Sequence, residues 1–144
     1  MPVPEKKSRH VASLEGLAPR FAGPTGSIKH LDSRELPILR GLSLRRLELA
    51  PRGVREPHWH ANAHELGFCL QGEALITIVA NHAEREIFTV AAGDMFFAPS
   101  GSLHAIQNTG SGTAAFILAF SHEQPEDFGI KAAFGAMSDS VLGN

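Results

Sequence analysis

The chain has 144 residues, enough for one domain around one hydrophobic core. Hydrophobic residues make up 43% of it and charged residues 19%, with a formal net charge of −2. This balance gives no basic footprint for nucleic acid and contains no apolar run long enough to cross a bilayer.

Residues 1–26 are rich in Pro, Gly and charge and read as an irregular N-terminal arm. The polar opening with Glu5, Lys6, Lys7 and Arg9 lacks the apolar stretch of a secretory leader, so a cytoplasmic location is expected. A single cysteine, Cys69, rules out an intramolecular disulfide and fits a reducing compartment. It sits in the apolar run Leu66–Leu70 and reads as a buried, inert thiol.

From Ser27 onward, short apolar runs alternate with turn residues. Leu42 and Leu44 alternate with polar residues, and Leu47 and Leu49 resume one residue out of phase. That slip predicts a β-bulge at Arg45-Arg46. Further runs cover Leu66–Leu70, Ala74–Val79, Glu86–Val90, Met95–Ala98, Leu103–Ile106 and Ala114–Phe120. Strands this short at this spacing predict an all-β antiparallel sandwich or barrel over residues 27–122. In the tail, 123–144, Phe134, Met137 and Val141 predict a short C-terminal helix with an apolar stripe. The stripe would pack on its own barrel or against a second subunit or domain, and the chain could be half of a longer two-barrel protein.

The chemistry concentrates in Arg55-Glu56-Pro57-His58-Trp59-His60-Ala61-Asn62-Ala63-His64-Glu65. His58 and His60 are two apart, so on a strand both imidazoles face one way and Trp59 the other. Glu65 opens the next apolar run, where an antiparallel neighbour can set its carboxylate beside them. His104 follows 44 residues after His60, on a strand that a closed barrel can return to the same interior. Three imidazoles and a carboxylate suit a divalent Mn, Fe, Ni, Co or Zn ion and leave positions open on an octahedral metal. The alternative is a set of hydrogen-bonded core histidines. His10, His30, His82 and His122 lie in polar or terminal stretches and read as solvated.

A second pattern is G-x5-P-x-G-x2-H-x3-N, made by Gly93, Pro99, Gly101, His104 and Asn108. With H-x-H-x4-E-x6-G from His58 to Gly72, the chain resembles the cupin superfamily over about residues 27–120. The opening glycine of the first cupin motif is missing, because Arg52 stands in its place and Gly53 follows. The spacing to Gly72 selects Glu65, not His64, as the carboxylate partner. The resemblance implies a cupin (double-stranded β-helix, or jelly-roll) barrel, a metal at His58, His60, Glu65 and His104, and a homodimer.

Within the cupins, Arg55–Ala63 is similar to the bicupin oxalate decarboxylases. This implies manganese, a small dicarboxylate such as oxalate, decarboxylation to formate and CO2, and Arg55 as the group that holds the free carboxylate. That family's lid motif is absent after Phe120, where Glu123 and Glu126 are the candidate proton donors in a shorter acidic loop. Other metal-dependent reactions (dioxygenase, oxalate oxidase, isomerase) and non-catalytic binding of a small ligand are the alternatives.

Overall fold

The computed structural model describes residues 8–143; the charged cluster Glu5, Lys6 and Lys7 lies outside them. Eleven strands follow in order: β1 Phe21–Gly23, β2 Gly26–Leu31, β3 Ser43–Leu49, β4 Val54–Trp59, β5 Glu65–Gln71 and β6 Glu73–Val79 come first. β7 Arg85–Ala91, β8 Met95–Ala98, β9 Leu103–Asn108, β10 Ala114–Phe120 and β11 Phe128–Gly129 complete them. They form two antiparallel sheets, ordered β1-β2-β3-β10-β5-β8 and β11-β4-β9-β6-β7. This two-sheet arrangement is a jelly roll, as expected.

The period-2 pattern fixes what faces inward. Leu47, Leu49, Cys69, Phe96, Phe116, Leu118 and Phe120 from the larger sheet meet Ala74, Ile76, Val90 and Ile106 from the smaller one in a single core. Gly67 belongs to this packing, since a Cβ there would lie 2.1 Å from the Phe96 ring. Gly72, at φ +78°, turns β5 into β6 in the left-handed region.

The structure departs from the sequence reading at several points. No bulge interrupts β3, whose register with β2 and β10 runs unbroken from Ser43 or Leu44 to Leu49. The alternation slips there because Arg45 faces inward and is 4% exposed. The C-terminal tail is helical as expected, and of the two packings left open its stripe does not take the one against its own barrel. Two short helices, α1 Ile130–Gly135 and α2 Asp139–Leu142, bury none of their residues. Phe134, Met137 and Val141 stay exposed within this chain. Nor is His30 solvated, because it sits opposite Arg45 in the β2–β3 ladder and is partly buried. Residues 21–26, read as arm, form β1 and the start of β2. No helix among the described residues is long and apolar enough to cross a membrane.

Candidate metal centre

Four buried side chains from three strands and one strand end converge inside the fold. His58 comes from β4 and His60 just beyond its end; Glu65 opens β5, and His104 lies on β9. His58 is directly opposite His104 in the β4–β9 ladder. One ligand atom from each of the four lies within 4.8 Å of the others, and each residue is only 1–2% exposed.

Each imidazole is oriented by a backbone carbonyl. The Nδ1–H of His58 donates to Glu56 O at 2.7 Å, that of His60 to Glu126 O at 2.5 Å, and that of His104 to Ser102 O at 2.9 Å. A carbonyl can only accept, so each neutral ring keeps its Nε2 lone pair for another partner. Two of these Nε2 atoms, on His60 and His104, lie 3.0 and 3.2 Å from Glu65 Oε2. A lone pair facing a carboxylate at that distance needs a proton or a cation between them. Glu65 Oε1 is also buried with no hydrogen-bond partner. The donor set therefore fits a bound metal ion, which would take three Nε2 atoms and the carboxylate.

The electrostatics agree. Burial alone would raise the Glu65 carboxyl, but hydrogen bonds from His104 and His60 outweigh it and hold it well below the usual carboxylate range. Burial, reinforced by Arg55, pushes His58 down to about 3, so it stays neutral and able to ligate. Burial would also lower His104, yet its bond to Glu65 raises it. In the metal-free protein a proton there does part of a cation's work.

Arg55 reaches the same interior by a bulge. It lies opposite Ile106, while His58 lies opposite His104, so β4 carries one extra residue between them. Arg55 and His58 thereby share a face although they are three apart in sequence. Pro57, with no N–H to give the ladder, sits within that irregularity. Arg55 does not face an open site. Its Nη2 donates to both carboxylate oxygens of Asp127, at 2.5 and 2.7 Å.

The structure does not bring Glu123 to the centre. Its carboxylate accepts from the Gly41 amide at 2.6 Å, tying it to the start of β3. Glu126 contributes its backbone, whose carbonyl orients His60 and whose amide donates to Asn62 Oδ1, while the residue itself is exposed. The Glu123 carboxylate is thus engaged away from the metal donors, while Glu126 lies next to His60 in the chain's packing. Sequence reasoning missed Arg45 and Asp127. Arg45 was visible only as a broken alternation, and Asp127 as one of several acids in a polar loop. His64 points outward and takes the Ser100 amide on Nδ1 at 3.0 Å. Cys69 is fully buried, and burial pushes its thiol up, as befits an unreactive core residue.

Two antiparallel sheets packed as a jelly roll, with three histidines and one glutamate converging between them, define a β-barrel protein with a site that could hold a metal. The sequence profile described as Cupin matches residues 13–144, and the chain belongs to that family. Among relatives, it is 32% identical over 103 residues to the probable germin-like protein subfamily 2 member 5 of Arabidopsis thaliana, covering 71% of this chain and 48% of the relative. It is 38% identical over 95 residues to oxalate decarboxylase OxdC of Bacillus subtilis, covering 66% of this chain and 24% of that one. The chain thus spans about half the length of the germin-like proteins and a quarter of the decarboxylase. Among solved structures it superposes on the Lactobacillus farciminis oxalate decarboxylase formate complex with a TM-score of 0.85 and 25% identity, covering 89% of this chain and 38% of that chain.

Proposed function

We propose that this chain is a metal-dependent cupin that holds manganese at His58, His60, Glu65 and His104 and acts on a small dicarboxylate such as oxalate. The observation that carries the reading is the pairing of three carbonyl-oriented imidazoles around Glu65 with an arginine, Arg55, on the same interior face. Mn(II) centres in the Bacillus subtilis oxalate decarboxylase and the likeness to that fold support manganese. Fe, Ni, Co and Zn suit the same donors, and affinity trends favour several of them over manganese, so loading decides occupancy.

A bound divalent ion supplies Lewis acidity and open positions for an acid ligand. The protein's own residues do the rest. Three backbone carbonyls fix the imidazoles, burial keeps His58 neutral, and Arg55 offers a charge-assisted contact to a free carboxylate. In decarboxylation of the oxalate monoanion the C–C bond breaks, CO2 leaves, and a proton takes its place on carbon to give formate. Glu123 is held at the Gly41 amide, which leaves Glu126, water or another group to deliver that proton.

The germin-like relatives favour a second reading, a metal-binding cupin with different turnover or none. Metal analysis followed by an oxalate assay with and without manganese separates the two. Formate and CO2 in equal amounts, lost in Arg55→Ala, support the proposal. Peroxide in place of formate indicates oxidation, and tight oxalate binding with no product indicates a binding protein. Full activity in Arg55→Ala would remove the anchor.

A further inference from the structure

Two arginines approach the centre from opposite sheets and share one carboxylate. Asp127 accepts from Arg45 Nη1 at 2.7 Å and from Arg55 Nη2 at 2.5 and 2.7 Å. Arg45 lies on β3 and Arg55 on β4, so both guanidiniums are anchored by long ladders. Their side chains are 5% and 18% exposed, whereas that of Asp127 is 31% exposed and comes from the loop between β10 and β11. The two cations sit on strands, and the carboxylate between them is the most exposed member of the three.

The pair of arginines adjoins the metal donors. The guanidinium of Arg45 lies 4.5 Å from the Phe120 ring centroid, and the same ring meets His60 edge-on at 4.9 Å. Arg55 shares the interior face of His58. One carboxylate leaves two guanidiniums with an excess of positive charge, and Arg45 Nε is buried with no partner at all. On the outer side, a cavity of about 560 Å³ is lined by Arg55, Asp127 and Lys131 among others, so a small anion can reach the bridge. The four metal donors themselves are closed off at 1–2% exposure, so the bridge is the more accessible polar group beside them.

We propose that Arg45 and Arg55 together form a carboxylate-binding clamp beside the metal centre, that Asp127 occupies it as an internal stand-in, and that a small acid binds by displacing Asp127. This rests on the reading of the centre as acid-binding, and it adds Arg45 as a binding residue and Asp127 as its competitor. Exchange of one carboxylate for another keeps the buried charge balanced, so the clamp is never left bare. A ligand with a second carboxylate or an α-oxo group gains over acetate, because its other end can reach the open metal positions. The loop that carries Asp127 is pinned by Asn62, whose Oδ1 takes the Glu126 amide at 2.8 Å and whose Nδ2 donates to Gln124 O at 3.3 Å.

The test is calorimetric titration of the full chain, manganese-loaded and metal-free, with oxalate and with acetate. Asp127→Asn keeps the shape and removes the charge, and is expected to tighten oxalate binding about tenfold by abolishing the occupied state. Arg45→Gln added to Asp127→Asn should cancel that gain. Asn62→Ala, which loosens the loop and spares all three charged groups, should tighten oxalate about threefold on the same grounds, and it decides the matter alone if Asp127→Asn fails to fold. Unchanged or weaker oxalate binding in folded Asp127→Asn, or a gain that survives loss of Arg45, overturns the clamp while leaving the acid-binding metal centre standing. Tighter acetate binding by metal-free Asp127→Asn, with no oxalate binding in any loaded form, keeps the clamp and removes the oxalate reading.

Discussion

Arg52 holds a φ of 63°, in the left-handed region that favours glycine, at the position where the first cupin motif has its glycine. The backbone demand persists although the residue changed. Arg52→Gly should therefore raise stability, by about 0.5 kcal/mol after the entropy cost of glycine, read as a higher urea midpoint. Glu65 shows the reverse case, a residue whose charge cannot be replaced. Glu65→Gln keeps the volume and removes the anion, and manganese affinity measured by calorimetry should fall more than 100-fold, beyond the 10–100-fold typical of an outer partner. At this scale the sequence spacing displayed the four donors because their geometry is a strand's two-residue period plus turns. Arg45 and Asp127 were not legible. An arginine inside a barrel looks like a slip in alternation, and its partner lies 82 residues away on a polar loop.

The elements explain why the motif spans more than ligands. Asn108 is 1% exposed; its Nδ2 donates to Leu49 O, Ala50 O and Gly112 O at 2.8–3.0 Å, and its Oδ1 takes the Gly110 amide. One amide thus ties the end of β3 to the β9–β10 turn. Asn108→Leu leaves three carbonyls and an amide without their partner and should cost about 2–4 kcal/mol in chemical denaturation. β4 carries the other device. Its bulge turns Arg55 inward, and Trp59 on the opposite face stacks on Phe128 of β11 at 5.4 Å and 12°. The outward Trp59 followed from alternation alone. The bulge did not, because an extra residue is visible only against its ladder partner, and that pairing joins residues about fifty positions apart. The same limit misled the reading of β3, where an inward charge imitates a bulge. The tail's helical period appears as two short helices, and among the described residues nothing covers its stripe, which the sequence alone left open.

For the whole molecule, buried histidines set the response to acid. Burial, aided by Arg45, pushes His30 down to about 3, and His58 is held equally low. In the unfolded chain both titrate near 6.5, so between that pH and about 3 the unfolded state binds protons the folded state refuses. His58 then removes up to about 1.4 kcal/mol of stability per pH unit as acid is added, and the half-buried, solvent-screened His30 removes less. His104 is raised and works the other way, with its contribution present below 6.5 and lost as pH rises through its folded value. Asp127 is held down to about 2: burial would raise it, but Arg55 and Arg45 outweigh that, so its contribution is lost only as pH falls from its unfolded value near 3.8. With two histidines against one, the metal-free protein should lose stability from pH 6.5 to 4.5, and His30→Gln should flatten that slope in urea melts at successive pH values.

On the proposed reading the four converging donors take one ion, and titration of the metal-free protein with Mn(II) tests that most directly. One ion should bind per chain in the wild type, and His60→Ala and His104→Ala should each abolish saturable binding while the protein stays folded by circular dichroism. Binding of similar strength in either folded variant, or no binding in the wild type, would contradict the account.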